Sequence, residues 1–159
     1  MRTFILALLA AISLAQSAQA SDRSDIIALV QAFNRAQTTD AYQALCADDA
    51  IVIDHAPPFM FRGPRACAAA WEADLAWAAK DGLSLDRLVQ KLAAPTFVRI
   101  DGDQAYAVFA GKAWFDAGRR REVEGLYATF VLRRQAGAWR IAAVTWSSLG
   151  WRAISRPRR

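Results

Sequence analysis

Asp54 and His55 stand side by side at the end of the apolar run Ala50-Ile51-Val52-Ile53, and Pro57-Pro58 follows two residues later. His55 is the only histidine in the chain. A carboxylate beside an imidazole can take up and return a proton at a reacting carbon or oxygen. In a continuous strand, however, consecutive side chains point to opposite faces. Asp54 would then face inward with Val52, and His55 would lie outside or at the mouth of a pocket. The two could act together only if the strand breaks at His55, and the prolines permit such a break. Each residue also has a bland role open to it. His55 could close a strand end by bonding a backbone carbonyl, and Asp54 could cap a loop or pair with an arginine such as Arg62.

Other chemistries lack their residues. A single histidine and two cysteines 21 positions apart provide no zinc ligand set. No Gly-x-Ser-x-Gly and no glycine-rich phosphate loop occurs, so no cofactor is expected. A Ser-His-Asp triad would have to use His55, and no serine is marked for it. The run Gly118-Arg119-Arg120-Arg121-Glu122-Val123-Glu124 reads as the charged end of a hairpin.

The elements that must position these residues can be read from periodicity. Ile26, Leu29, Val30 and Phe33 give a helix over 22–36, with Ser21 or Ser24 as its cap. Residues 38–49 give a second short helix with Thr38 or Thr39 as cap and Tyr42, Leu45 and Cys46 on one face. Residues 50–54 are β-branched and give a strand. Residues 55–64 read as a loop because two prolines exclude a central strand. Gly63-Pro64 opens a third helix over 65–82 that ends at Gly82. Strands follow over about 87–100, 104–115, 120–134 and 138–149, separated by turns at 101–103, 116–119 and 135–138. The order is ααβαββββ, an α+β domain with helices on one face of a curved antiparallel sheet. By alternation, Tyr106, Val108, Ala110, Lys112 and Trp114 share one face of their strand, and Ala105, Ala107, Phe109, Gly111, Ala113 and Phe115 the other. Trp146, Val144 and Ala142 share a face of the last strand.

Both ends carry their own signals. Arg2, the apolar stretch 4–15 and Ala18-Gln19-Ala20 have the form of a signal peptide with a small-residue cleavage site. The expected mature chain begins at Ser21, is exported to a periplasmic or extracellular space, and has no membrane span after cleavage. Arg152, Arg156, Arg158 and Arg159 form a basic tail over 152–159. Of the 20 basic residues, one is Arg2 and four are in the tail, so 21–151 hold 15 against 15 acidic ones. A neutral body is no nucleic-acid footprint. In an oxidising compartment Cys46 and Cys67 are expected to form a disulfide worth roughly 3 kcal/mol. The competing arrangement is two buried free thiols.

The segment Leu45-Cys46-Ala47-Asp48-Asp49-Ala50-Ile51-Val52-Ile53-Asp54, the proline loop, Gly63 and the helix after it resemble the nuclear transport factor 2-like superfamily, also called SnoaL-like or ketosteroid-isomerase-like. The resemblance spans 24–151 and is similar to exported members of that group. It implies a cone-shaped sheet around a pocket, with Asp54 at the position of the isomerases' general base. The oxyanion donors of those isomerases do not carry over. Their tyrosine falls on Val30, and the fourth-strand acid position offers only Tyr127 and Thr129. On this reading the chain is an exported domain that binds a small apolar or amphipathic molecule. It can act on that molecule as an isomerase, dehydratase or hydrolase, with Asp54 as base. The expected walls are Trp71, Tyr106, Trp114, Tyr127 and Trp146, with Phe59 and Phe61 as a lid. The competing reading is a non-enzymatic module that pairs as a homodimer through its open sheet face and fills its cavity with the same aromatics.

Overall fold

A computed structural model describes residues 2–80, 88–117 and 120–154. Helix α1 (Arg2–Arg35) and the short α2 (Thr39–Gln43) lead into β1 (Cys46–Ile53) and β2 (Met60–Arg62). Helix α3 (Ala66–Lys80) follows, and then the long strands β3 (Val89–Asp101), β4 (Gln104–Ala117), β5 (Arg120–Gln135) and β6 (Ala138–Ile154). The six strands form one curved sheet in the order β2-β1-β6-β5-β4-β3. Four of its five pairings are antiparallel, and β1 runs parallel to β6. The α+β reading and the meander of four long strands hold, and the sheet is mixed rather than purely antiparallel.

The core lies between the inner sheet face and the helices. Ile26 and Val30 of α1 are fully buried against Phe109, Phe130, Leu132 and Ile141. Each such side chain contributes on the order of 1.5–3 kcal/mol of transfer free energy. The inner face of β4 is the one built from Ala105, Ala107, Phe109 and Ala113, all nearly inaccessible. These small residues let the helices approach the sheet. At Gly111 even a methyl group is excluded: a Cβ there would stand 2.7 Å from Leu92 Cδ2 and 2.8 Å from the Lys91 carbonyl oxygen.

Several boundaries differ from the sequence expectation. Helix α1 runs unbroken through Ser21 and Ser24, so neither caps a helix start, and the Ser24 hydroxyl donates to the Ser21 carbonyl. No described helix is long and apolar enough to cross a membrane. Thr38 is the N-cap of α2, accepting from the Ala41 N–H, but that helix stops at Gln43. Cys46–Asp49 belong to β1 instead: the Leu45 carbonyl accepts from Ile141 N–H and Cys46 pairs with Ile141. Sheet pairing overrides the helical spacing of Tyr42, Leu45 and Cys46 there. Within the expected loop, Met60–Arg62 pair with Ile51–Ile53 as an edge strand, because the prolines sit in the preceding turn and not in the strand. Strand β6 continues to Ile154, so the basic tail begins inside the sheet, where Arg152 pairs with Val123. The third helix's expected end at Gly82 and residues 155–159 lie outside the described residues.

Cys46 and Cys67 form a disulfide that joins β1 to α3, with Cα atoms 6.5 Å apart.

Candidate functional site

Strand β1 ends at Ile53, one residue before Asp54. The chain then turns tightly: Asp54 N–H donates to the Phe59 carbonyl at 3.1 Å, and Phe59 N–H donates to the Ala56 carbonyl at 2.8 Å. This break removes the alternation that would have separated Asp54 from His55. Asp54 Oδ1 lies 2.6 Å from His55 Nδ1 and also accepts from the His55 N–H at 2.6 Å. Asp54 has thus found an imidazole rather than Arg62, whose Nε donates to Met60 Sδ. The Asp54 side chain is 5% exposed and that of His55 57%, so the pair runs from the protein interior to a mouth.

Asp74 reaches the same point from α3. One ligating atom each from Asp54, His55 and Asp74 lie within 4.8 Å of one another. Two carboxylates and an imidazole at that spacing could also take a divalent cation, and no other such group occurs among the described residues. Asp74 Oδ1 is buried without a hydrogen-bond partner. Burial, reinforced by the Asp54 charge, pushes the Asp74 carboxyl up to about 7, with His55 pulling the other way. The hydrogen bond that His55 donates to Asp54 holds the imidazole above its ordinary value, against a smaller opposing effect of burial. Helix spacing explains why Asp74 is here. It lies on the α3 turn between Trp71 and Trp77, which also face inward.

These groups sit on the wall of a cavity of about 720 Å³ between α1, α2, α3 and the sheet. Its apolar lining comes from Phe33, Val52, Trp71, Trp77, Phe115 and Trp146. Trp71 stacks on Tyr42 at 4.7 Å between ring centroids, and Trp77 meets His55 edge to face at 4.6 Å. Tyr42 is itself a lining residue, and burial together with the Asp74 and Asp54 charges raises its phenol, which therefore stays protonated. Glu122 and Glu124 of β5 line the cavity as well.

The residues singled out in the sequence divide into two groups. Asp54, His55, Trp71 and Trp146 line this cavity. Tyr106 and Tyr127 are on the outer sheet face, 42% and 40% exposed, and Tyr106 packs edge-on against Phe97. Trp114 shares their face by alternation in β4. Phe61 is buried in the core beside Val52, its partner on β1, and Phe59 is a turn residue with positive φ that is 57% exposed. Alternation had sorted β4 correctly into faces, but aromatic content pointed to the outer face, whereas the alanine-rich face looks inward. Tyr42, Asp74, Trp77, Glu122 and Glu124 were missed. The available signal was an acid on the inward stripe of the third helix, since Asp74 falls in line with Trp71 and Ala78.

Residues 26–149 match the family model described as the SnoaL-like domain. The chain belongs to the SnoaL-like family. The SnoaL-like fold is also shared with solved structures. A nuclear transport factor 2-like protein of unknown function from Pseudomonas putida KT2440 is 26% identical, with a TM-score of 0.65 over 80% of this chain and 87% of that one. A hexachlorocyclohexane dehydrochlorinase, LinA-type3 from Novosphingobium barchaimii LL02, is 11% identical, with a TM-score of 0.65 over 90% and 94%. A protein from Novosphingobium aromaticivorans DSM 12444 assigned as a scytalone dehydratase is 12% identical, with a TM-score of 0.66 over 89% and 93%. At these last two identities the likeness is one of fold. No curated protein is similar enough to count as a match.

Proposed function

We propose that this SnoaL-like chain is an exported domain that binds a small apolar or amphipathic molecule in its cavity and moves a proton on it, with Asp54 as the base. The meeting of Asp54, His55 and Asp74 on the cavity wall, within 4.8 Å, carries this reading. A proton taken by Asp54 is shared with His55 Nδ1 across 2.6 Å, which takes the pair from net negative charge to neutral. Asp74, protonated below about 7, supplies a proton to a leaving group or a hydrogen bond to a developing oxyanion. The Tyr42 hydroxyl is a second donor on the same wall. The two donors absent from Val30 and the fourth strand are in this way replaced from α2 and α3. Removal of H–X by base and acid is the shared chemistry of a dehydrochlorinase and a dehydratase, which favours an elimination over a hydrolysis. The Cys46–Cys67 disulfide accords with an oxidising compartment.

The test is native mass spectrometry of protein purified from its own source, followed by incubation of any carried molecule with fresh wild type and with Asp54→Asn. The expected result is a bound small molecule that wild type converts and the variant retains unchanged. Equal conversion by Asp54→Asn sinks the catalytic reading, and a protein that carries nothing sinks the binding reading.

One observation favours a second role, homodimerisation. Phe97, Tyr106, Tyr127 and Val131 leave an apolar strip on the outer sheet face, each between 39% and 49% exposed. A second copy of the chain covering that strip makes the protein a dimer whether or not it is an enzyme. Light scattering should give twice the chain mass, and Tyr106→Asp should return the monomer.

A further inference from the structure

Among the described residues, acidic groups outnumber basic ones on the cavity wall. Asp54, Asp74, Glu122 and Glu124 line it, with one guanidinium, Arg35, and one imidazole, His55. His55 is already engaged by Asp54. Glu124 is the most telling of the four. Its side chain is buried on β5, the residue being 9% exposed, and it pairs with no guanidinium among the described residues. Asp74 Oδ1 is a buried acceptor with nothing donating to it. Glu124 and Asp74 come from β5 and α3 on different sides of the cavity, and both act electrostatically on His55, so their fields converge on one volume. The walls of that volume include Trp71, Trp77 and Trp146. Indole faces attract cations more strongly than any other side-chain ring.

We infer that the cavity's ligand is an organic cation, a protonated amine or quaternary ammonium on an apolar body, its head held at Glu124 and Glu122 and its body against the tryptophans. This deepens the proposed function and rests on its reading of the cavity as a binding site. A neutral ligand would leave Glu124 uncompensated in the complex, and an anion would meet an excess of like charge.

Three probes with the same apolar body separate the possibilities: phenylbutylamine, phenylbutanol and phenylbutyrate, titrated against the full chain by tryptophan fluorescence and calorimetry near neutral pH. The amine should bind about tenfold more tightly than the alcohol, and the carboxylate most weakly. Glu124→Gln should bring the amine down to the alcohol's affinity while leaving the alcohol unchanged. Glu122→Gln, a less buried position, should lower the amine's affinity in the same direction by a smaller factor. Equal binding of amine and alcohol by wild type overturns the cation inference and leaves the cavity reading standing. No binding by any of the three overturns both. An amine preference that survives in both variants removes the glutamates from the site.

Discussion

Two clusters built around aspartate sit at different places in this fold, and their environments push in opposite directions. Near the start of the domain, Asp22 accepts from the Arg134 guanidinium and from Trp139 Nε1 at 3.2 Å. Arg134 also lies 4.6 Å over the Trp139 ring and pairs with Asp103 at 3.3 Å. The hydrogen bond from Arg134 holds the Asp22 carboxyl below its ordinary value. At the cavity, Asp74 has a buried oxygen with no donor and a second carboxylate as neighbour, and its carboxyl rises to about 7. One aspartate is satisfied and ties α1 to the β5–β6 hairpin. The other is held in an unfavourable setting by the helix that carries it. A group left unsatisfied at a cavity wall is ready to gain a partner there, which a structural ion pair is not.

The sharpest way to test this contrast is at the reaction itself. Asp54→Asn should cut turnover of the carried molecule by about 10²–10⁴ without loss of binding. The wild-type rate should follow a bell in pH. Its acid limb is His55 losing the proton it shares toward Asp54, and its alkaline limb is Asp74 losing its own near 7. A flat profile would dissolve the contrast.

The next effect is on stability. The disulfide ties β1, which leads to Asp54, to α3, which carries Asp74. Cys46→Ser with Cys67→Ser should cost roughly 3 kcal/mol in denaturant unfolding. The double variant should also lose cavity binding before the fold is lost, because the two carboxylates no longer approach on a fixed frame.

Smaller still, the two aspartates should respond to neutralisation with opposite signs. Asp74 has a raised folded-state value, so its contribution is full below about 3.8 and is lost as pH rises through about 7. Asp74→Asn should therefore raise Tm by a few degrees at pH 8 and do little at acid pH. Asp22 has a lowered folded-state value, so its contribution is present above about 3.8 and is lost as pH falls through the lower folded value. Asp22→Asn should lower Tm by a few degrees near neutral pH, less in high salt. Shifts of the same sign in both variants, followed by calorimetry across pH, would show that the clusters do not differ as described.

The amino-acid order alone determined the class of fold, the four long strands and the third helix, and it left Cys46 and Cys67 as a disulfide or two buried thiols. Those features rest on local periodicity and turn residues, which a linear reading contains. It also determined that Asp54 stands where a strand meets a proline turn. Tertiary structure decided the rest of the site. Whether Asp54 and His55 meet depends on the strand ending at Ile53, and that end is set by pairing with β6 and by the Asp54–Phe59 turn. Asp74 and Tyr42 enter from helices 20 and 12 residues away in sequence, and only packing of α2 and α3 over the sheet brings them in. The inner face of the sheet was decided the same way. Alternation gives two faces of equal standing, and it is the helices packed over the alanine-rich face that make it the inside.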